Sequence, residues 1–225
     1  MKKLIFAVAL MAMSQTAFSQ TTKAATSVTS QTGYEKIMAE KIAKLYPSQN
    51  SAEITALSND FARIAAKETK RWEPNYYAAL AVLQNGRMAM QSGKNDTLDA
   101  TADEAQKYVD AAKAVSPDNA ELYILEKMIH RYRMIVNPVA RFMTEGAAAE
   151  EALSKAEKLD PGNPRITLLR AEDAYYTPEQ FGGSKTQAME LFRKAKEQFK
   201  NYKPKNSLSP NWGEAEADYF LSQAK

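Results

Sequence analysis

The chain contains no cysteine and only one histidine, His130. With no cysteine there is no disulfide and no lipid-modified N-terminal cysteine, so stability has to come from packing. A lone imidazole is too few for a metal site, which takes several imidazoles or thiolates. An excess of one charge is also missing. The formal net charge is +3, and once residues 1–19 are set aside, 28 basic side chains face 27 acidic ones. That balance lacks the concentrated basic field of a nucleic-acid binder. Beyond the N-terminus no segment is apolar enough to span a bilayer, which takes about 20 residues.

What is present begins with a short apolar run. Lys2 and Lys3 precede residues 4–13, which are apolar, and Ala17 and Ser19 place small side chains before a cut at Gln20. Residues 1–19 therefore read as a signal peptide, and the protein as exported, either periplasmic or secreted. Residues 20–33 are rich in Thr, Ser and Gln and read as a flexible leader. Residues 34–225 read as one ordered helical domain. Hydrophobic residues make up 44% of the chain, and its 11 Tyr, 8 Phe and 2 Trp are spread along it, enough for a real core.

Caps and breakers divide that domain. Thr32 with Glu35, Thr101 with Glu104 and Ser184 with Gln187 have the spacing of helix caps. Apolar periodicity predicts helices near 34–46, 52–71, 75–92, 101–115, 118–134, 147–159, 164–176, 185–200 and 211–223. Pro74, Pro117, Pro161 and Pro210 recur 43, 44 and 49 residues apart, each ahead of or opening a helix. A period of this size implies stacked helix pairs, each too small to bury its own apolar face.

One pattern repeats inside these units. Ala105, Val109, Ala112 and Pro117 are matched at the same spacing by Ala149, Leu153, Ala156 and Pro161, and by Ala188, Phe192 and Ala195 without the proline. Ala62, Ala66, Thr69 and Pro74 form a fainter fourth copy. On a helix these offsets give a small–large–small stripe suited to a close neighbour. The pattern resembles the second-helix signature of tetratricopeptide repeats over about residues 52–224. The period is longer than the family's because loops are inserted, and Glu126 and Arg170 stand where its first helices carry a small residue. The resemblance implies an all-α right-handed solenoid of helix pairs whose first helices line a concave surface for a protein or peptide partner.

Chemistry-bearing residues are few. Gly182-Gly183-Ser184-Lys185-Thr186 lacks the glycine before lysine and the preceding strand of a phosphate-binding loop, and reads as a helix start. Asn95, Asp96, Asp99 and Asp103 lack the offsets of a calcium loop. His130-Arg131-Tyr132-Arg133 reads as charges exposed along a helix. Tyrosines and arginines on first helices are more suggestive, because interfaces favour both types. Tyr77, Tyr132, Arg133 and Arg170 are the candidate partner-binding set, with the loops at 135–146 and 177–184 as the other possible surface. The same tyrosines also suit a core that keeps their hydroxyls at its edge. The expectation is a non-catalytic binding or scaffolding module with no cofactor, no metal and no catalytic residue. The alternatives are a helical hydrolase or a cell-surface glycan-binding accessory protein.

Overall fold

The computed structural model describes residues 32–223. The expected signal peptide, and all but the end of the leader, lie outside the described residues. The fold is all-α, with no strand among the described residues. In chain order the helices are α1 (Gly33–Leu45), α2 (Ser51–Lys67), α3 (Glu73–Gln91), α4 (Leu98–Val115), α5 (Ala120–Val136), the one-turn α6 (Pro138–Arg141), α7 (Ala147–Leu159), α8 (Pro164–Tyr176), α9 (Lys185–Asn201) and α10 (Glu214–Ser222). Most of the longer helices pack on a sequence neighbour: α2 on α3, α3 on α4, α4 on α5, α5 on α7, α8 on α9 and α9 on α10. Short connections between such neighbours make antiparallel hairpins.

Side-chain oxygens set several helix starts by accepting from otherwise orphaned backbone N–H groups. Thr32 and Glu35 form a reciprocal capping box at α1. Asn50, Asn119, Asn163 and Ser184 cap α2, α5, α8 and α9. The stripes Ala105/Val109/Ala112, Ala149/Leu153/Ala156 and Ala188/Phe192/Ala195 are all buried, on α4, α7 and α9. The faint fourth copy does not hold. Ala66 is exposed, and α2 instead buries Ile54, Leu57, Phe61 and Ala65.

Of the boundaries that differ from expectation, two have clear local reasons. Helix α4 starts at Leu98, after a 3-10 turn over Asn95–Thr97. Thr101 is thus inside the helix, and its hydroxyl donates back to the Thr97 carbonyl instead of capping. Helix α10 starts at Glu214 because Gly213 has φ +112°, a left-handed geometry that favours glycine. Trp212, expected on that helix, precedes it and is buried. Gly86 marks a close approach, since a Cβ there would lie 2.5 Å from Tyr132 Cε2.

Candidate functional site

Helices α3, α5, α8 and α10 meet through a layer of polar pairs. Arg165 on α8 is fully buried and Glu121 on α5 nearly so. The two carboxylate oxygens of Glu121 accept from Arg165 Nε at 3.2 and 3.0 Å, and Oε1 also accepts from Asn163 Nδ2 at 2.6 Å. Burial alone would depress the Arg165 pKa, but the adjacent Glu121 charge more than offsets it and the guanidinium is held above its usual range. Lys127 and Arg131 on α5 pair with Asp173 and Glu172 on α8. Burial lowers the Lys127 pKa, with Asp173 opposing.

The C-terminal segment closes this layer. Tyr77 donates to the Leu208 carbonyl at 2.8 Å, and Trp212 Nε1 donates to the Tyr76 hydroxyl at 2.8 Å. Arg87 on α3 reaches Glu216 on α10 at 3.2 Å. Between Tyr46, Leu80, Leu83, Gln84, Arg87 and Trp212 there remains a cavity of about 40 Å³. That volume suits a water or two, whereas drug-sized ligands occupy about 300–1,000 Å³. A ligand of that size does not fit there.

The four candidate residues do not share an exposed face, and that expectation is corrected. Tyr77 is fully buried, and Tyr132 nearly so with its hydroxyl donating to the Leu83 carbonyl at 2.7 Å. Arg133 turns to α4, where Asp103 accepts at 2.9 Å. Arg170 turns to α7 and pairs with Glu150 and Glu157. The physical reason lies in contacts between helices. Neighbouring second helices offer carboxylates within reach of both arginines, and distant backbone carbonyls take both phenols. His130 also has a partner, Glu145 Oε2, 2.7 Å from its Nδ1. Asp99 pairs with Arg141 and Asp103 with Arg133, which accounts for two of the acids near residues 95–103.

The exposed apolar surface lies elsewhere. At the C-terminal ends of α8 and α10, Tyr175, Tyr176, Tyr219 and Phe220 form a chain of edge-on aromatic contacts, with Phe192 stacked on Phe220 at 4.4 Å. Tyr176 is 57% and Tyr219 60% exposed. Phe181, in the turn after α8, is 67% exposed. Arg131 stacks over Tyr176 at 5.2 Å, and Lys185 Nζ lies 5.6 Å from the Tyr175 ring centroid. Burial, together with the Glu172 charge, raises the Tyr176 pKa, so its phenol is neutral at neutral pH. Val139, Phe142 and Met143 make a second exposed apolar group on and just after α6. Val139, Phe142 and Met143 lie in the 135–146 loop and Phe181 in the 177–184 loop, the other possible surface named from the sequence, although these side chains were not named individually. The available signal was an apolar side chain inside an otherwise polar insertion: Phe181 between Pro178 and Gly182, and Phe142 and Met143 after Pro138.

No protein-family model matches the chain, and no curated protein matches it. Among solved structures it is similar to the HusA haemophore from Porphyromonas gingivalis, with 31% sequence identity and a TM-score of 0.74. The match covers 86% of this chain and 94% of that one. Identity at this level over nearly the whole of the matched chain goes beyond a shared fold, and this protein belongs to the same family as the HusA haemophore.

Proposed function

We propose that this protein is an exported, non-catalytic haem-binding carrier, and that the aromatic patch of Tyr176, Phe181 and Tyr219 holds the ligand. The observation that carries this reading is membership in the family of a haemophore at 31% identity. The geometry supports it in two ways. The cavity beside Trp212 is too small for such a ligand, while the patch offers exposed ring faces beside cationic side chains. A flat apolar macrocycle with charged edges needs both. Covering about 200 Å² of ring surface is worth about 5 kcal/mol at 25 cal/mol per Å², before the costs of ordering are subtracted. We also propose that the underlying repeat is of the tetratricopeptide type, which the three buried small–large–small stripes support.

Replacing Tyr176 and Tyr219 together with serine tests the site. Both rings are largely exposed, so thermal stability should change little. Hemin affinity, read from the change in the Soret band, should fall at least about tenfold, the equivalent of about 1.4 kcal/mol. Unchanged affinity in the double variant would remove the ligand from this patch. A second reading, a protein partner, is favoured by Val139 and Met143, which are 97% and 79% exposed on one short segment. Replacing both with serine should weaken such a contact and leave hemin binding intact.

A further inference from the structure

We infer that Lys185 is the carboxylate anchor of the proposed site, and that the site therefore selects tetrapyrroles carrying free carboxylic acids over their esters. The inference rests on the haem-carrier reading. Its starting point is which cations near the patch are already committed. Arg131, which lies over Tyr176, pairs with Glu172. A cation paired in the fold offers little net charge to a ligand. Lys185 has no ion-pair partner among the described residues, and it is exposed. Of the two cations placed over Tyr175 and Tyr176, it is the one free to meet an anion.

Its position is fixed by the backbone. After Tyr176 the chain turns through Gly182, with φ +93°, and through Gly183, where a Cβ would lie 1.7 Å from the Thr177 carbonyl oxygen. Only glycine fits that turn. The turn brings the Ser184 N–H back to donate to the Ala174 carbonyl at 2.9 Å. Residue 185 is thereby held beside the last turn of α8, with its ammonium against Tyr175. Tyr175 is 5.1 Å from Tyr176. The ammonium thus lies at the edge of the apolar patch, where a macrocycle resting on Tyr176 would carry its ionised side chains. A carboxylate bonded to an ammonium gains a charge-assisted hydrogen bond, which an ester cannot replace.

The test compares hemin, protoporphyrin IX and protoporphyrin IX dimethyl ester, each titrated into wild type, Lys185→Met and Lys185→Arg. Methionine keeps the length of the stem and removes the charge, and circular dichroism melting should be unaltered. Wild type should bind both free acids about tenfold more tightly than the ester. Lys185→Met should lose about tenfold on the free acids and nothing on the ester, and Lys185→Arg should recover most of the loss. Equal loss on acid and ester, or no loss at all, would overturn the anchor while leaving the haem-carrier reading standing. Failure of wild type to bind any of the three would overturn both.

Discussion

Removing the Glu121 carboxylate is expected to be the most damaging single truncation in the fold. In Glu121→Ala the Arg165 guanidinium stays buried with no opposite charge, keeping as hydrogen-bond acceptors the Tyr202 hydroxyl at 3.0 Å and the Trp212 carbonyl at 3.5 Å. Asn163 loses its 2.6 Å acceptor as well. Breaking a buried ion pair from one side costs about 3–5 kcal/mol, a large part of the roughly 5–15 kcal/mol that holds a typical domain together. With a urea m-value of about 2–3 kcal/mol per molar, the midpoint should drop by about 1–2 M. The damage should spread to the C-terminal segment, so amide exchange should quicken over residues 208–222. Replacing both partners, Glu121→Leu with Arg165→Met, removes the stranded charge and should recover most of the loss. A midpoint within about 0.3 M of wild type for Glu121→Ala would refute the assignment of this pair as the clamp between α5 and α8.

Further outcomes follow from single contacts. Leu153→Ala should open a cavity under α7 at a cost of about 2–5 kcal/mol, and Ala149→Leu should overpack the same stripe at about 1–3 kcal/mol, both read from denaturation midpoints. Gly86→Ala places a methyl 2.5 Å from Tyr132 and 2.8 Å from Thr101, so it too should lower the melting temperature. Burial raises the Tyr132 pKa from 10.0 to about 12, with the Arg87 and Arg131 charges opposing. The stabilisation it gives by staying protonated is therefore complete below pH 10 and is lost as pH rises from there towards 12. Across that window wild type should lose up to about 2–3 kcal/mol more than Tyr132→Phe, and parallel pH profiles of melting would contradict the burial.

The fold was legible wherever local chemistry decides it. The α4, α7 and α9 stripes repeat a spacing that only a helix turns into one face, and Thr32 with Glu35 and Ser184 with Gln187 cap where their spacing places them. The end of the chain was less legible. Trp212 matches helical periodicity, yet its indole is drawn out of α10 to donate to Tyr76, 136 residues earlier. The candidate site was misread for the same kind of reason. Tyr77 and Tyr132 look like interface tyrosines by type and position, but their acceptors are 131 and 49 residues away and no local pattern announces them. Arg133 and Arg170 were neutralised by carboxylates on neighbouring helices, a pairing that depends on register between hairpins. Lys185 read as a helix start, which it is. Its place beside the aromatic patch depends on the glycine turn that folds it back onto α8.

Equilibrium titration of hemin into the purified protein, followed by the Soret band and by displacement dialysis, tests the central claim most directly. Saturable binding with a micromolar or tighter dissociation constant, weakened by replacing Tyr176 and Tyr219, is the expected result. Hemin uptake that fails to saturate, or that a heat-denatured sample reproduces, would contradict the assignment of this protein as a haem carrier.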